Sequence, residues 1–433
     1  MKNGGIFEVL MKKAREVMGK LPDGRKKNNA LRYEMEAVGM GGLSIFMLQD
    51  PSFLSHQERL KKATGEDNFA SLFGVSKLPE ANQIRNLLDK VAPVYFNELF
   101  DNGLALLESR GGLKEFSCLG GVLIALDGTE YHSSGQIHCE HCNSRTHHEK
   151  VTYYHSMVAA AIVSPDAKEA VALIPEMITP QDGHSKQDCE NAAAKRWILN
   201  YADRYRHLHP TVLGDDLFSR EPLCQAVLEQ KLDFIFVCKP DSHKTLYEYV
   251  GTGYETHRVE EIVRKQKRYY QYQFMNQVPI KDGKNALLVN WFDVKEIDAK
   301  TGKVLYHNSF ITSHTITTST IHALAKAGRA RWRIENEHNN TLKTKGYHFE
   351  HNYGHGKQHL ASVFATLALV AFLYHTVFDK IDDLYQKAKL SERTRENFFN
   401  MVKAIASRML VKSWDDLMRF LAYPPDKSLL PLI

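Results

Sequence analysis

The sequence predicts an α/β fold: a mixed sheet flanked by helices, interrupted by a β-rich insertion and preceded by a helical N-terminal region. Three observations predict it. Up to about residue 115, apolar residues recur three and four apart, as in "ANQIRNLLDKVAPVYFNELFDNGLALLESR", and strand-like alternation is absent. From residue 120, short apolar β-branched runs come in among helical segments. Between about 246 and 312, strand-like segments return, separated by the hairpin turns "KDGKN" and "DAKTGK".

Taken in order, "LPDGRKKNN" and "GVSKLPE" divide the N-terminal region into short helices. The glycine cluster "GMGGLS" (39–44) follows no strand, so it reads as a helix contact or turn rather than a phosphate loop. "GVLIALD" reads as a buried strand ending on Asp127, "TYYHSMVAAAIVSP" as a second and "EAVALIPEMI" as a third. "DCENAAAKRWILNYADRYRHL" (188–208) is an amphipathic helix with Asp188 as its cap. "PTVLGDD" is a fourth strand, "EPLCQAVLEQK" a helix and "DFIFVCKP" a fifth strand. The order β-β-β-α-β-α-β is that of an RNase H-like core. "KRYYQYQFMNQVPI", "NALLVNWFDVKEI" and "VLYHNSFITS" are the insertion strands. Helix returns at "TSTIHALAKAGRARWRIENEHNNTLKTKG", followed by the loop "YHFEHNYGHGKQ", an apolar helix over 360–378 and a helical tail. The expected division is therefore an N-terminal region (1–115), a first part of the core (116–245), the insertion (246–312), the final core helices (313–385) and a tail (386–433).

At 43% hydrophobic and 25% charged, with no low-complexity tract, the composition is that of a soluble globular protein. The net charge of +5 is concentrated at the start: residues 1–32 hold nine Lys/Arg against three Asp/Glu, which leaves the rest about neutral. A basic leading segment suits a polyanionic partner such as DNA, although a solvated helix face produces the same run. The first thirty residues contain no apolar signal region, so no secretion is expected. The stretch 360–378 is long enough to span a membrane but carries Ser362, Thr366, His375 and Thr376. It reads as a buried core helix, and no membrane partner is expected. Of six cysteines only Cys139 and Cys142 are close together, consistent with a reducing cytoplasm.

The chemistry-bearing residues are acids. Asp127 ends the first strand and Asp215 the fourth, and in such a sheet those strands are neighbours. Carboxylates held ~4–5 Å apart repel, and a divalent cation is the usual remedy. Asp216 rivals Asp215, which is preferred because it directly follows Gly214 and the apolar strand. A third acid, Glu335 in "RWRIENEHNNTLK", lies one helical turn after Arg331 on the same face. The pair could equally be a solvated i,i+4 ion pair.

Asp127 in "ALDGT", Asp215 in "LGDDLFS" and Glu335 in "RARWRIENEHNNTLK" together resemble the DDE transposases of bacterial insertion sequences. The likeness is to the cut-and-paste branch, in which β-strands interrupt the core between the second Asp and the Glu. Asp127 and Asp215 are 88 residues apart and Asp215 and Glu335 are 120 apart, the extra length falling at the insertion. "SLFGVSKLPEANQIRNLLD" and "PEMITPQDGHSKQDCENAAAKR" add to the resemblance, which covers roughly residues 70–380. It implies metal-dependent cleavage at the ends of the element and strand transfer into target DNA. Asp127, Asp215 and Glu335 would hold Mg²⁺, with Mn²⁺ as substitute. Double-stranded DNA would be the partner of a homodimer in the bacterial cytoplasm, with Arg331 and Lys343 as DNA contacts. The branch typically has a Tyr three residues before that Arg and a Lys seven after the Glu. Here those positions are Gly328 and Leu342, and Lys343 is one residue late, about 80° off the Glu335 face. The rival readings are a nuclease that does not join strands and an inactive DNA-binding relic.

Three further signals are weaker. Cys139 and Cys142, with His147 and His148, have the residue types of a structural zinc site compressed into one hairpin, and a reduced, unliganded pair is the alternative. "RKQKRYYQYQF" (264–274) interleaves cations with aromatics, as a nucleic-acid face or an amphipathic strand would. The resemblance implies an insertion aromatic that stacks on an extruded base, for which Trp291 is the candidate. Lys357 and the backbone amides of "NYGHGKQH" could contact phosphate, or simply form the loop between two helices.

Overall fold

Among the described residues, six α-helices precede the first long strand: α1 (Ile6–Met18), α2 (Met35–Met47), α3 (Phe53–Lys61), α4 (Asn68–Phe73), α5 (Ala81–Leu88) and α6 (Asn97–Ser109). They belong to a computed structural model that describes residues 5–25, 33–61, 68–180, 189–263 and 265–423. Lys26, Lys27 and Arg32 of the basic leading segment, Asp188 and Arg264 lie outside the described residues. The apolar stripe Phe7, Leu10, Met11, Ala14, Val17 and Met18 buries one face of α1. α2 is buried on nearly every side because it lies against α1, α5 and α12 (Leu360–Ile381). Helix α12 is the apolar stretch of the sequence. It is the one described helix long and apolar enough to cross a membrane, yet 94% of its most apolar window is buried inside the protein. Around it, Phe7 stacks on Trp414 at 4.3 Å and lies 5.8 Å from Phe378, so the two ends of the chain share one core. Ser44, His56 and Asp50 form a hydrogen-bonded relay here, Oγ to Nε2 at 2.8 Å and Nδ1 to Oδ2 at 2.6 Å. All three are fully buried, so this arrangement serves packing and meets no substrate.

The sheet begins with β1 (Ser117–Cys118), β2 (Gly121–Ser134), β3 (Asn143–His147), β4 (Lys150–Val163), β5 (Val171–Ala172) and β6 (Glu176–Ile178). The crossover helices α7 (Glu190–Tyr205) and α8 (Glu221–Glu229) then set β7 (Thr211–Gly214) and β8 (Asp233–Val237) parallel to β2. This contains the expected β-β-β-α-β-α-β core, to which the unanticipated short strands β1, paired with β2, and β3, paired with β4, are added, and two of the expected strands differ. The third strand is split into β5 and β6, both paired to β4, because Pro175 between them has no N–H to donate. The first strand does not end on Asp127. It stays paired with β4 from Asp127↔Ala159 to Ser134↔Tyr153, with a bulge at Tyr131.

After α9 (Lys244–Val250), the insertion contains four strands: β9 (Glu255–Val263), β10 (Gln266–Pro279), β11 (Leu288–Asp298) and β12 (Val304–Thr312). The insertion strand not anticipated is β9, where six of the nine residues in "ETHRVEEIV" are polar, as suits an exposed edge. Residues Phe310, Ile311 and Thr312 of β12 pair with Val237, Phe236 and Ile235 of β8. The insertion therefore continues the core sheet in the order β3-β4-β2-β7-β8-β12-β11-β10-β9. The helical stretch after it breaks into α10 (Ile321–Arg329), a π-helical segment (Ile334–Asn339) and α11 (Asn340–Thr344). After α12 come α13 (Asp383–Leu390), α14 (Arg395–Arg408) and α15 (Trp414–Ala422).

Candidate active site

Strands β2 and β7 are parallel with Ala125 opposite Leu213. Two residues further on, Asp127 and Asp215 come level, just past the end of β7. Asp215 Oδ1 accepts the Leu217 N–H at 2.9 Å, a local turn that holds the carboxylate at the rim. Its rival is otherwise engaged: Asp216 accepts the Lys239 N–H at 2.6 Å and the Ser242 hydroxyl, tying down the loop after β8. Arg331 and Glu335 share a helical face as expected, Nη2 to Oε1 at 2.6 Å, and Arg331 Nη1 also approaches Asp127 Oδ1 at 3.8 Å. The guanidinium thus lies between two of the three acids. Asn339, at the end of the π-helical segment, donates to Asp127 Oδ2 at 2.8 Å and is itself held by His338 Nδ1 at 2.8 Å. Unusual helical turns of this kind recur at functional sites.

A fourth carboxylate escaped the sequence reading. Glu190, the first residue of α7, accepts the Gly128 N–H at 2.9 Å. A Cβ at position 128 would lie 2.4 Å from the Glu190 carboxyl carbon, so the glycine of "ALDGT" admits this close approach rather than making a turn. No local pattern marks Glu190, since acids are common in the first turn of a helix. Burial raises the Asp127 carboxyl to about 7; Glu335, Glu190 and Asp215 add to the effect and Arg331 opposes it. Glu190 is raised too, first by burial and then by Asp215, against the Gly128 amide. Among the described residues, no three of these carboxylates bring oxygens within 4.8 Å of one another. They stand near one another without converging on one point. Hard oxygen donors, two of them raised by burial and then by neighbouring carboxylates, suit a divalent cation.

A family model for the transposase DDE domain matches residues 120–373, more than half of the chain. The chain belongs to the DDE transposases. No curated protein matches it. The matched span takes in all four carboxylates and the whole insertion and leaves out α1–α6. Membership makes DNA the partner of this transposase and divalent metal ions its class of cofactor.

Both departures from the expected pattern of the branch are matters of packing. A Cβ at Gly328 would lie 3.0 Å from Ile235 and Phe310, leaving no room for a tyrosine, and Leu342 is fully buried. Lys343 on α11 is paired with Glu350 at 2.8 Å. Trp291 is 3% exposed, edge-on to Tyr247 at 5.8 Å, and offers no face to an extruded base; that expectation is corrected. The exposed tryptophan beside the acids is Trp332, 40% exposed and next to Arg331. In "RKQKRYYQYQF" Tyr270, Tyr272 and Phe274 are buried while Lys267 pairs with Glu260, which makes this the amphipathic strand and not a stacking face.

The Lys357 side chain is exposed, but its loop does not offer free amides. The N–H groups of Lys357, Gln358, His359 and Leu360 all point at Asp89 Oδ1, at 3.0–3.2 Å. Burial pushes the Asp89 carboxyl up, and these donors outweigh it and hold the group below its usual range. The anion site at the start of α12 is thus filled by a carboxylate of the transposase itself. Finally, Cys139 and Cys142 do cluster with two histidines, but not the expected ones. His147 and His148 remain at the exposed tip of the β3–β4 hairpin, packed on each other at 4.1 Å. His155 from β4 and His355 from the segment before α12 meet the cysteines instead.

Proposed function

We propose that this transposase cleaves DNA at the ends of an insertion sequence and transfers the freed 3′ ends into target DNA, with Asp127, Asp215 and Glu335 as its catalytic carboxylates and Mg²⁺ ligands. The observation that supports this most is the strand register that brings Asp127 level with Asp215, with Glu335 reaching Asp127 through Arg331. Mg²⁺ bound there would activate the attacking water or 3′-hydroxyl and stabilise the departing oxygen, and Mn²⁺ would substitute. Asp127 and Asp215 supply donors fixed by the sheet, while Glu335 supplies one from a helix. Asn339 fixes the second oxygen of Asp127, so the first stays directed at the site. Arg331 is the cation available to an incoming phosphate, and Trp332 beside it offers an apolar face near the DNA. Lys343, Lys357 and the basic N-terminal segment are further DNA contacts in this reading. Joining needs both ends of the element, so two copies act together on the DNA.

The test uses purified protein, Mg²⁺ and labelled duplexes carrying the terminal sequences of the element. Cleaved and joined products are expected from the native chain, and neither from Asp127→Asn, Asp215→Asn or Glu335→Gln. Cleavage without joined product would make the protein a nuclease. Equal activity in the three variants would remove these acids from the reaction.

A further inference from the structure

We infer that Cys139, Cys142, His155 and His355 form a structural zinc site that clamps the segment following the Glu335-bearing helix onto the core sheet. Among the described residues these four are the one group of three or more Cys, His, Asp or Glu side chains whose ligand atoms all lie within 4.8 Å of one another. The edges of the group are 4.0 Å for Cys139 Sγ to Cys142 Sγ and 3.6 Å for Cys139 Sγ to His155 Nε2. Cys142 Sγ lies 3.3 Å from His155 Nε2 and 3.4 Å from His355 Nε2, and the two Nε2 atoms are 3.1 Å apart. Tetrahedral zinc with Zn–S of about 2.3 Å and Zn–N of about 2.0 Å requires edges of ~3.8 Å between sulfurs, ~3.5 Å between sulfur and nitrogen and ~3.3 Å between nitrogens. Five of the six edges lie within about 0.2 Å of that figure, and the sixth, between Cys139 Sγ and His355 Nε2, is within 4.8 Å.

The surroundings agree. His355 donates its Nδ1–H to the Gly356 carbonyl at 3.0 Å, which turns the Nε2 lone pair toward the sulfurs, the usual support for a ligating imidazole. The Cys139 N–H points at Cys142 Sγ at 3.4 Å and the Cys142 N–H at the Cys139 carbonyl at 3.2 Å, so the Cys-x-x-Cys turn is already wound around its sulfurs. His155 and His355 are buried at 1% and 6% exposure, and His155 is stacked under Tyr131 at 5.6 Å. Four protein ligands leave no open position, which is the signature of a structural rather than a catalytic zinc.

The ligands come from three places: the loop after β2, strand β4, and the segment between α11 and α12, which is 213 residues from Cys142. His355 lies 20 residues after Glu335, so the metal would fix the far end of the chain that leaves the candidate active site. This inference does not depend on the roles assigned to the carboxylates.

The experiment is a zinc measurement on the full chain, purified without a histidine tag. About one zinc per chain is expected, falling below about a tenth in Cys142→Ser and in His355→Gln and staying unchanged in a His147→Gln/His148→Gln double variant. If the single variants do not fold, cobalt substitution of the native chain still decides. A tetrahedral cobalt spectrum with sulfur charge-transfer bands, and X-ray absorption showing two sulfurs and two nitrogens, are expected. Native protein that binds no zinc after zinc-supplemented expression overturns the inference. So does a Cys139–Cys142 disulfide found after thiol trapping, or zinc that survives His355→Gln and is lost with His147 and His148.

Discussion

Two clusters of ligand-type side chains lie beside the same strand, β2, and they are built on opposite principles. The carboxylates around Asp127 are held apart: their oxygens do not converge, a guanidinium stands between two of them, and Glu335 keeps 47% of its side chain exposed. The sulfurs and imidazoles around Cys142 are drawn together on one point, with the histidines buried. A site that must admit a phosphate and release it needs open positions and unsatisfied charge. A site that only holds chain together does best when every position is filled by protein. The comparison also separates stability from activity: burial and like charge oppose ionisation of Asp127, whereas the thiols and imidazoles bring together three separate segments of chain.

The sharpest break between the two would come from neutralising the open one. Asp127→Asn is expected to lower the strand-cleavage rate by at least about a thousandfold, while the thermal midpoint holds or rises. The reason is that burial and like charges already disfavour the ionised Asp127. A clear fall in the midpoint would mean that Asp127 is structural. The closed cluster should behave the other way. Cys142→Ser is expected to lower the thermal midpoint by about 5 °C or more while cleavage per folded molecule changes less than about tenfold. Calorimetry alongside a single-turnover assay reads both quantities.

A third prediction concerns the histidines that belong to neither cluster's first contacts. Burial lowers His338 to about 4, and lowers His375 well below its ordinary value. A depressed histidine stays neutral in the folded state while the unfolded chain takes up a proton. Stability is therefore complete above about pH 6.5 and is lost as pH falls toward 4, by up to about 3 kcal/mol for His338. Urea midpoints measured across that interval check the sign; a flat profile would refute it. The smallest expected effect is that of Asn339→Ala, which frees one Asp127 oxygen. A three- to tenfold loss in cleavage is expected with a stability change of about 1 kcal/mol or less. A loss as large as that of Asp127→Asn would place Asn339 among the reacting groups.

Residues that act through local pattern were legible. Arg331 and Glu335 are one turn apart, and a helix brings them together even though the turn is π-like. Asp127 and Asp215 each follow an apolar run, and alternating β and α segments make those runs parallel neighbours. The misreadings concern partners distant in the chain. Trp291 looked available because nothing near it in sequence shows the face of β11 turned inward. The amides after Gly356 looked free because Asp89 lies 268 residues away. Glu190 is, by sequence, one helix-opening acid among many, and what distinguishes it is the Gly128 amide 62 residues earlier.

By itself, then, the sequence determined the order of elements, the two aspartates at the ends of apolar runs, the Arg331–Glu335 pair and the core character of the 360–378 helix, since all of these are written in residues a few positions apart. Only the tertiary structure decided that the insertion joins the core sheet through β8 and β12, and that Cys139 and Cys142 meet His155 and His355 rather than His147 and His148. Register and facing between segments some 200 residues apart depend on how whole layers pack, and no short stretch of chain carries that information.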